Sequence, residues 1–310
     1  MKIVFLDAST VGDVPNMDEI RRLGDYAEYD VTPLEKRVER IGDAEVVIVN
    51  KTRIDRDVLS ACPNLKLVCV AATGMNNIDL ECAAELGVPV KNVAGYSTGS
   101  VAQVTFAMVL ELLVRTSLYN RYVQSGEYCD SPIFTNHAAP FWEIGGKCWG
   151  IIGLGAIGKR VASIARAFGA NVRYYSTSGK NLESEYEHLE LNELLQTSDI
   201  VSIHAPLNER TSNLLDLPRL RMMKKTALLV NAGRGGIVNE QALAEAIDSE
   251  AIAGAGIDVY EREPMEPNHP YLKVKNKDRL LLLPHIAWAS VESRTLLVSK
   301  IAENIKSLSA

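Results

Sequence analysis

Three short segments carry side chains able to do chemistry, and each directly follows an apolar run. Asn231-Ala232-Gly233-Arg234-Gly235-Gly236 follows residues 226–230. Asp258-Val259-Tyr260-Glu261-Arg262-Glu263-Pro264 follows 252–257, and Pro284-His285-Ile286-Ala287-Trp288 follows 280–283. An arginine guanidinium is a rigid fork of donors that clamps a carboxylate and polarises an adjacent carbonyl. The glycines beside Arg234 leave room for a ligand to approach it. His285 ends an apolar run behind a proline that fixes the turn. An imidazole ordinarily titrates near neutrality, so a histidine there can hand a proton to an oxygen that is gaining charge. A carboxylate against the ring would favour its charged form and orient it; of the acids at 258–263, Glu263 is the candidate. His204, after the apolar run 201–203, competes for the donor role. An anion clamp and a proton donor together suit reduction of a ketone next to a carboxylate, a 2-oxo acid.

Such a reduction needs a hydride source, and the sequence offers a place for one. Gly153-Leu154-Gly155-Ala156-Ile157-Gly158 is a GxGxxG. The buried-strand pattern Trp149-Gly150-Ile151-Ile152 precedes it, and Ile157, Val161, Ile164, Ala165 and Phe168 follow at helical spacing. In that context the pattern predicts a dinucleotide site. Gly153 permits the tight turn, Gly155 lets backbone approach a pyrophosphate, and Gly158 lets helix and strand pack. The helix N-terminus, at Ala156 and Ile157, then presents free N–H groups to phosphate. About 20 residues further on, a NAD site usually carries an acid for the ribose. Here the segment reads Tyr174-Tyr175-Ser176-Thr177-Ser178-Gly179-Lys180, with Ser176 in the acid's place. The Ser176 hydroxyl can bond the ribose of NAD, the expected cofactor. NADP stays open, since no carboxylate repels a 2′-phosphate and Ser176, Ser178 and Lys180 could receive one.

Positioning these segments calls for an α/β architecture. Apolar runs at 3–6, 46–49, 67–71 and 88–90 alternate with helical patterns such as 17–23 and 78–86. A second, larger series at 150–154, 171–175, 200–203, 227–230, 252–257 and 280–283 alternates with patterns such as 157–168 and 239–247. Alternation of this kind predicts parallel sheets with helices on both faces, and ligands bind at the carboxyl ends of such strands. A length of 310 residues favours two domains. A long apolar helix beginning near Ser100 stands between the two series. The tail 289–308 reads as a helix able to cross back and pack on the first domain.

Composition removes other classes. A net charge of -6 gives no electrostatic footprint for nucleic acid. The most apolar long segment, 101–114, is interrupted by Gln103, Thr105 and Glu111 and falls short of a membrane span, so it reads as a helix buried in protein. The opening MKIVFLD reads as a strand, not as a signal peptide. Five cysteines, an odd number with no CxxC pair, suit free thiols in a reducing, cytoplasmic setting. The five histidines show no metal-ligand spacing, and no metal site is expected.

The whole set of motifs resembles the D-isomer-specific 2-hydroxyacid dehydrogenase family over nearly the whole chain. GLGAIG (153–158), HAPLNERT (204–211), NAGRGG (231–236), DVYEREP (258–264) and PHIAWAS (284–290) occur in the family's order. The resemblance implies that Arg234, Glu263 and His285 are catalytic, with Asp258 near the nicotinamide carboxamide. It also implies that His204, Pro206, Thr211, Ala232, Gly233, Arg234, Asp258 and His285 join the glycine loop and Ser176 in holding the cofactor. A Rossmann nucleotide-binding domain (98–287) would be inserted into a flavodoxin-like substrate domain (1–97 plus 288–310), both doubly wound. Family members generally form homodimers through the nucleotide-binding domains, with substrate in the cleft between domains. Asn50-Lys51-Thr52, Ala72-Thr73-Gly74-Met75-Asn76-Asn77, Gly95-Tyr96-Ser97 and His285-Ile286-Ala287-Trp288 look like the glycerate dehydrogenase (hydroxypyruvate reductase) branch. On that likeness Lys51, Thr73, Gly74, Met75 and Trp288 join Arg234 and His285 at the substrate. The chain departs from that branch at Val104, often a histidine there, and at Ser176. Other 2-oxo acids, such as glyoxylate or a bulkier D-lactate-like substrate, are the alternatives. A nucleotide-sensing corepressor of the same fold is the rival from another class.

Overall fold

The computed structural model describes residues 1–180 and 185–308; the last two residues of the expected C-terminal segment lie outside that range. The chain divides into two compact units, Met1–Ser97 with Trp288–Ala310, and Thr98–Ala287.

The first unit holds five parallel strands: β1 (Lys2–Phe5), β2 (Asp25–Glu28), β3 (Val46–Val49), β4 (Leu67–Val70) and β5 (Val90–Lys91), in the order β2-β1-β3-β4-β5. That is the flavodoxin-like order. Every residue of β3 and β4 is buried, as expected of central strands covered on both faces. β2 reads Asp-Tyr-Ala-Glu and is largely exposed at the sheet edge, so no apolar run announces it. β5 begins at Val90, two residues later than the apolar run suggests. The tail forms the helix Val291–Lys306, capped by the Ser290 hydroxyl, which accepts from Ser293 N. Its buried Leu297, Val298, Ile301, Ala302 and Ile305 join Ile3, Phe5, Leu67 and Cys69 in one core. Each fully buried aliphatic side chain of this kind is worth about 1.5–3 kcal/mol. Asn16 Nδ2 adds bonds to Thr295 O and Ser299 Oγ, each 2.9 Å.

The second unit holds seven parallel strands: β6 (Cys148–Ile152), β7 (Asn171–Tyr175), β8 (Glu187–His188), β9 (Ile200–Ile203), β10 (Leu228–Asn231), β11 (Gly254–Ile257) and β12 (Leu280–Leu282). Their order is β12-β11-β10-β9-β6-β7-β8, so the chain reverses direction across the sheet at β6, between β7 and β9. That is the doubly wound, dinucleotide-type arrangement, extended by β12. The two-residue β8 lies at the edge and has no counterpart among the apolar runs. The apolar helix Thr98–Val114 packs inside this unit and does not stand apart as a connector. Phe106 lies against Trp149 with ring centroids 4.7 Å apart, and a Cβ on Gly256 would stand 3.0 Å from Met108 Cβ. No single described helix is long and apolar enough to cross a membrane.

Candidate active site

β10, β11 and β12 are neighbours in register, so their carboxyl ends form one continuous rim. Arg234 follows β10, Glu263 follows β11 and His285 follows β12. His285 Nδ1 stands 2.7 Å from Glu263 Oε2, with both side chains about a quarter exposed (22% and 27%). The other oxygen, Glu263 Oε1, accepts from Tyr260 N at 3.1 Å. The Tyr260 hydroxyl in turn donates to Leu283 O at 2.8 Å. The loop that carries the acid is thereby tied to the strand end that carries the imidazole.

The backbone on either side of His285 is constrained. Pro284 precedes it, and His285 itself has φ +55°, a left-handed conformation that costs a side-chain-bearing residue free energy. Asp258 holds the peptides that follow: its carboxylate accepts from Ile286 N (2.8 Å) and Ala287 N (3.0 Å). Asp258 is 1% exposed, and burial pushes its carboxyl above the usual range. The two backbone donors and the nearby His285 pull the other way, while Glu263 adds to the rise. In this structure Asp258 holds the His285 turn, a role that the acid cluster at 258–263 does not announce in the sequence.

Arg234 sits in a turn built by Asn231, whose Oδ1 accepts from Gly233 N (3.1 Å) and whose Nδ2 donates to Arg234 O (3.0 Å). The guanidinium donates to Gly233 O at 2.8 Å, and no carboxylate pairs with it among the described residues. A Cβ on Gly235 would collide with the Tyr260 carbonyl, so glycine there lets the Arg234 turn pack onto the Glu263 loop. A further pair is not visible in the sequence. His269 Nε2 lies 2.8 Å from Glu240 Oε2, and Glu240 Oε1 accepts from Glu261 N at 2.8 Å. This buried pair fastens the same loop; a lone histidine before a proline carries no signal for it.

A second feature lies at the switch point. A cavity of about 610 Å³ opens above β6, β7 and β9, lined by Gly153, Leu154, Gly155, Ser176, Thr177, Ser178, Lys180, His204, Pro206, Asn208, Glu209 and Arg210. Gly153 has φ +91°, and a Cβ on it would press to 3.0 Å on Ala205 N. A Cβ on Gly158 would collide with the Gly153 carbonyl, whereas one on Gly155 would meet no protein atom. The helix Ala156–Ala167 starts at that open point, with Ala156 and Ile157 in its first turn. Inside the cavity lining, Ser176 Oγ and both ring nitrogens of His204 are buried without a hydrogen-bond partner. Buried polar atoms rarely stay unsatisfied, so these await a ligand. A glycine cradle at a helix N-terminus beside orphaned polar atoms fits a dinucleotide.

Both ring nitrogens of His204 are buried, and that burial holds its imidazole down at about 3. It is neutral at physiological pH and a poor competitor to His285 as proton donor. Thr211 does not line the cavity: its buried hydroxyl donates to Pro206 O (2.7 Å) and accepts from Asn208 N (2.8 Å), shaping the loop. Ala232 and Gly233 run alongside; a Cβ on Gly233 would come to 3.1 Å from Ala205 O.

The remaining candidates lie in the first unit. Lys51 follows β3, and the segment Thr73, Gly74 and Met75 follows β4, so they share the carboxyl ends of adjacent strands. Asp7, buried at the end of β1, accepts from Asn50 N, Lys51 N and Thr52 N at 2.8, 2.7 and 2.7 Å. Asn77 Nδ2 donates to Thr52 O at 2.9 Å, joining the two loops. Thr73 Oγ1 donates to Val93 O, and Met75 packs on the core beneath. Trp288 packs edge-on to Tyr96 at 6.1 Å between centroids. Asp7 does not stand out in the sequence, because an acid two residues past a strand has no distinguishing pattern, and the motif that contains Asn77 does not show which loop that side chain fastens.

Residues 106–287 match the family model described as the NAD-binding domain of the D-isomer specific 2-hydroxyacid dehydrogenases. The chain is 37% identical to a hydroxypyruvate reductase of Blautia hydrogenotrophica over 99% of its own length and 96% of the relative's. It is 40% identical to a glyoxylate reductase of Aeropyrum pernix, over 90% of this chain and 84% of the relative. A D-lactate dehydrogenase from Aquifex aeolicus, solved with NAD and lactic acid, superposes with a TM-score of 0.84 at 26% identity, covering 99% of this chain and 95% of that one. With the nucleotide cradle and the Arg234, Glu263 and His285 rim in place, the chain belongs to the D-isomer specific 2-hydroxyacid dehydrogenases, NAD(P)-dependent oxidoreductases.

Proposed function

We propose that this enzyme reduces hydroxypyruvate to D-glycerate, reversibly, with Arg234, Glu263 and His285 as its catalytic residues. The observation that carries the reading is the 2.7 Å contact of His285 Nδ1 with Glu263 Oε2 on the same rim as Arg234. The reduced nicotinamide, when bound, supplies the hydride to the carbonyl carbon. His285 donates from Nε2, the nitrogen Glu263 does not engage, to the developing alkoxide. Glu263 steadies the imidazolium and fixes its ring. The Arg234 fork holds the substrate carboxylate and draws charge toward the carbonyl oxygen. Lys51, the backbone N–H groups of Thr73, Gly74 and Met75, and Trp288 complete the substrate contacts, so Met1–Ser97 with Trp288–Ala310 serves as the substrate domain.

The names of the relatives support a small 2-oxo acid, hydroxypyruvate or glyoxylate. The wider setting belongs to the same reading: a cytoplasmic homodimer with no nucleic-acid or membrane partner. Five free cysteines and the net charge of -6 suit it. So do the exposed Ile133, Phe134 and Phe141, apolar surface on the nucleotide-binding unit that a second copy would cover. The test is steady-state turnover of hydroxypyruvate, glyoxylate, pyruvate and a bulkier 2-oxo acid, with the configuration of each product determined. Hydroxypyruvate should show the highest kcat/KM and give the D-product. Preference for another acid would move the substrate assignment, and absence of turnover with every acid would overturn the reading.

A further inference from the structure

We propose that Ser176, Lys180 and Arg210 form a subsite for a phosphomonoester, the 2′-phosphate that distinguishes NADP(H) from NAD(H). The proposal rests on the reading of the switch-point cavity as the dinucleotide site.

Three observations converge at one end of that cavity. Ser176 is 7% exposed, and its Oγ has no hydrogen-bond partner although it belongs to the lining. Lys180 and Arg210 line the same cavity, and neither has an ion-pair partner among the described residues. Arg210 comes from the loop after β9, yet its Nη1 donates to Ser178 O at 3.1 Å, which brings the guanidinium to the turn after β7. That turn is itself closed, by Gly179 N to Ser176 O (3.2 Å) and Lys180 N to Ser178 Oγ (3.2 Å). Glu209 is the acid of the described lining, so the charged lining side chains sum to a net positive charge.

The chemistry of a ribose diol does not call for this. A diol is neutral and is met well by a carboxylate, which accepts both hydroxyl protons and repels a phosphate. Here the acid is replaced by a hydroxyl that can donate, flanked by two cations from separate loops. A guanidinium fork and an ammonium are the groups that recognise a phosphate dianion. From sequence alone NAD is the expected cofactor, with NADP open; Arg210 lies far along the chain from Ser176, and only the fold brings the two together.

The test is a binding titration at equilibrium, read by the fluorescence of the bound reduced nicotinamide and by calorimetry. The probes are NADPH against NADH, and adenosine 2′,5′-bisphosphate against adenosine 5′-monophosphate. Each 2′-phosphorylated probe should bind more tightly by roughly 10- to 100-fold, the range for one or more charge-assisted hydrogen bonds. That ratio should shrink as salt rises, because Lys180 and Arg210 are exposed to solvent. Arg210→Gln and Lys180→Gln should each lower the ratio about tenfold, Arg210→Lys less than Arg210→Gln, and Ser176→Asp should bring it below one. Two outcomes overturn the subsite alone: NADH binding as tightly as NADPH, or a ratio that Arg210→Gln and Lys180→Gln leave where it was. If none of the four probes binds, the dinucleotide reading of the cavity falls with it.

Discussion

His285 follows β12, the edge strand of the seven-stranded sheet, and keeps about a fifth of its side chain exposed while Nδ1 meets a carboxylate at 2.7 Å. His204 follows β9, near the middle of the same sheet, with both ring nitrogens buried and no carboxylate against it. Both sit at carboxyl ends of parallel strands, where ligands bind. Their surroundings separate their chemistry. A partly solvated imidazole with an acid at its back can hold and release a proton. An enclosed, unaccompanied one is kept neutral, and its nitrogens are left to hydrogen bonding with a ligand. Position at a strand end marks a residue as able to meet a ligand; the partner behind it decides what it does there.

The sharpest way to break this contrast is His285→Ala. Loss of a general acid costs roughly 100- to 10,000-fold in kcat. Cofactor binding, followed by nicotinamide fluorescence, should persist. A variant within threefold of wild type in kcat would remove His285 from the proton path and reopen the case for His204.

Glu263→Gln tests the partner rather than the proton donor. Glutamine keeps an acceptor for Tyr260 N but withdraws the charge beside the imidazolium. A fall of about 10- to 100-fold is expected, the scale of one charged hydrogen bond. It should appear in kcat more than in KM, because the charge it opposes forms only during reaction. A pure KM effect would make Glu263 a binding group instead.

Arg234→Lys keeps the charge and loses the fork. A raised KM for the keto acid together with a lowered kcat is expected, about tenfold or more in kcat/KM. An unchanged KM would rule out Arg234 as the carboxylate clamp.

Legibility in the sequence depends on whether a residue's signal is local. Arg234, Glu263 and His285 each stand after an apolar run and inside a compact motif, so local pattern finds them. The glycine cradle is readable for the same reason. Asp7, Asn77 and Glu240 act through distant backbone, holding N–H groups or carbonyls of loops far away in sequence, and His269 pairs with the Glu240 side chain from a remote turn; single-chain spacing cannot reveal such pairings. β2 escapes because an exposed edge strand need not be apolar, and β8 because two residues make no pattern. The partner of Asp258 is hidden similarly: its acid stands close to Glu263 in sequence, yet both of its oxygens serve the His285 turn.

The last expected effect is on stability and not on turnover, and it concerns His204 in acid. Burial holds its folded-state value at about 3, against 6.5 as the ordinary value. The unfolded chain therefore binds a proton, as pH falls below about 6.5, that the folded chain refuses until about pH 3. The sign is fixed: His204 favours the unfolded state increasingly as pH drops through that window and has no such effect above it. Between pH 7 and 4.5 the loss amounts to about 2–3 kcal/mol, from 1.36 kcal/mol per unit. His204→Gln removes the titrating group, so its stability should decline less over the same range, whatever constant offset the substitution brings. Urea unfolding of both proteins at pH 7 and 4.5, followed by circular dichroism, measures the difference. Parallel losses in the two proteins would mean that the His204 imidazole accepts a proton in the folded state. A chemical-shift titration of that ring above pH 4.5 would show the same protonation independently, and the contrast between the two histidines would then have to be redrawn.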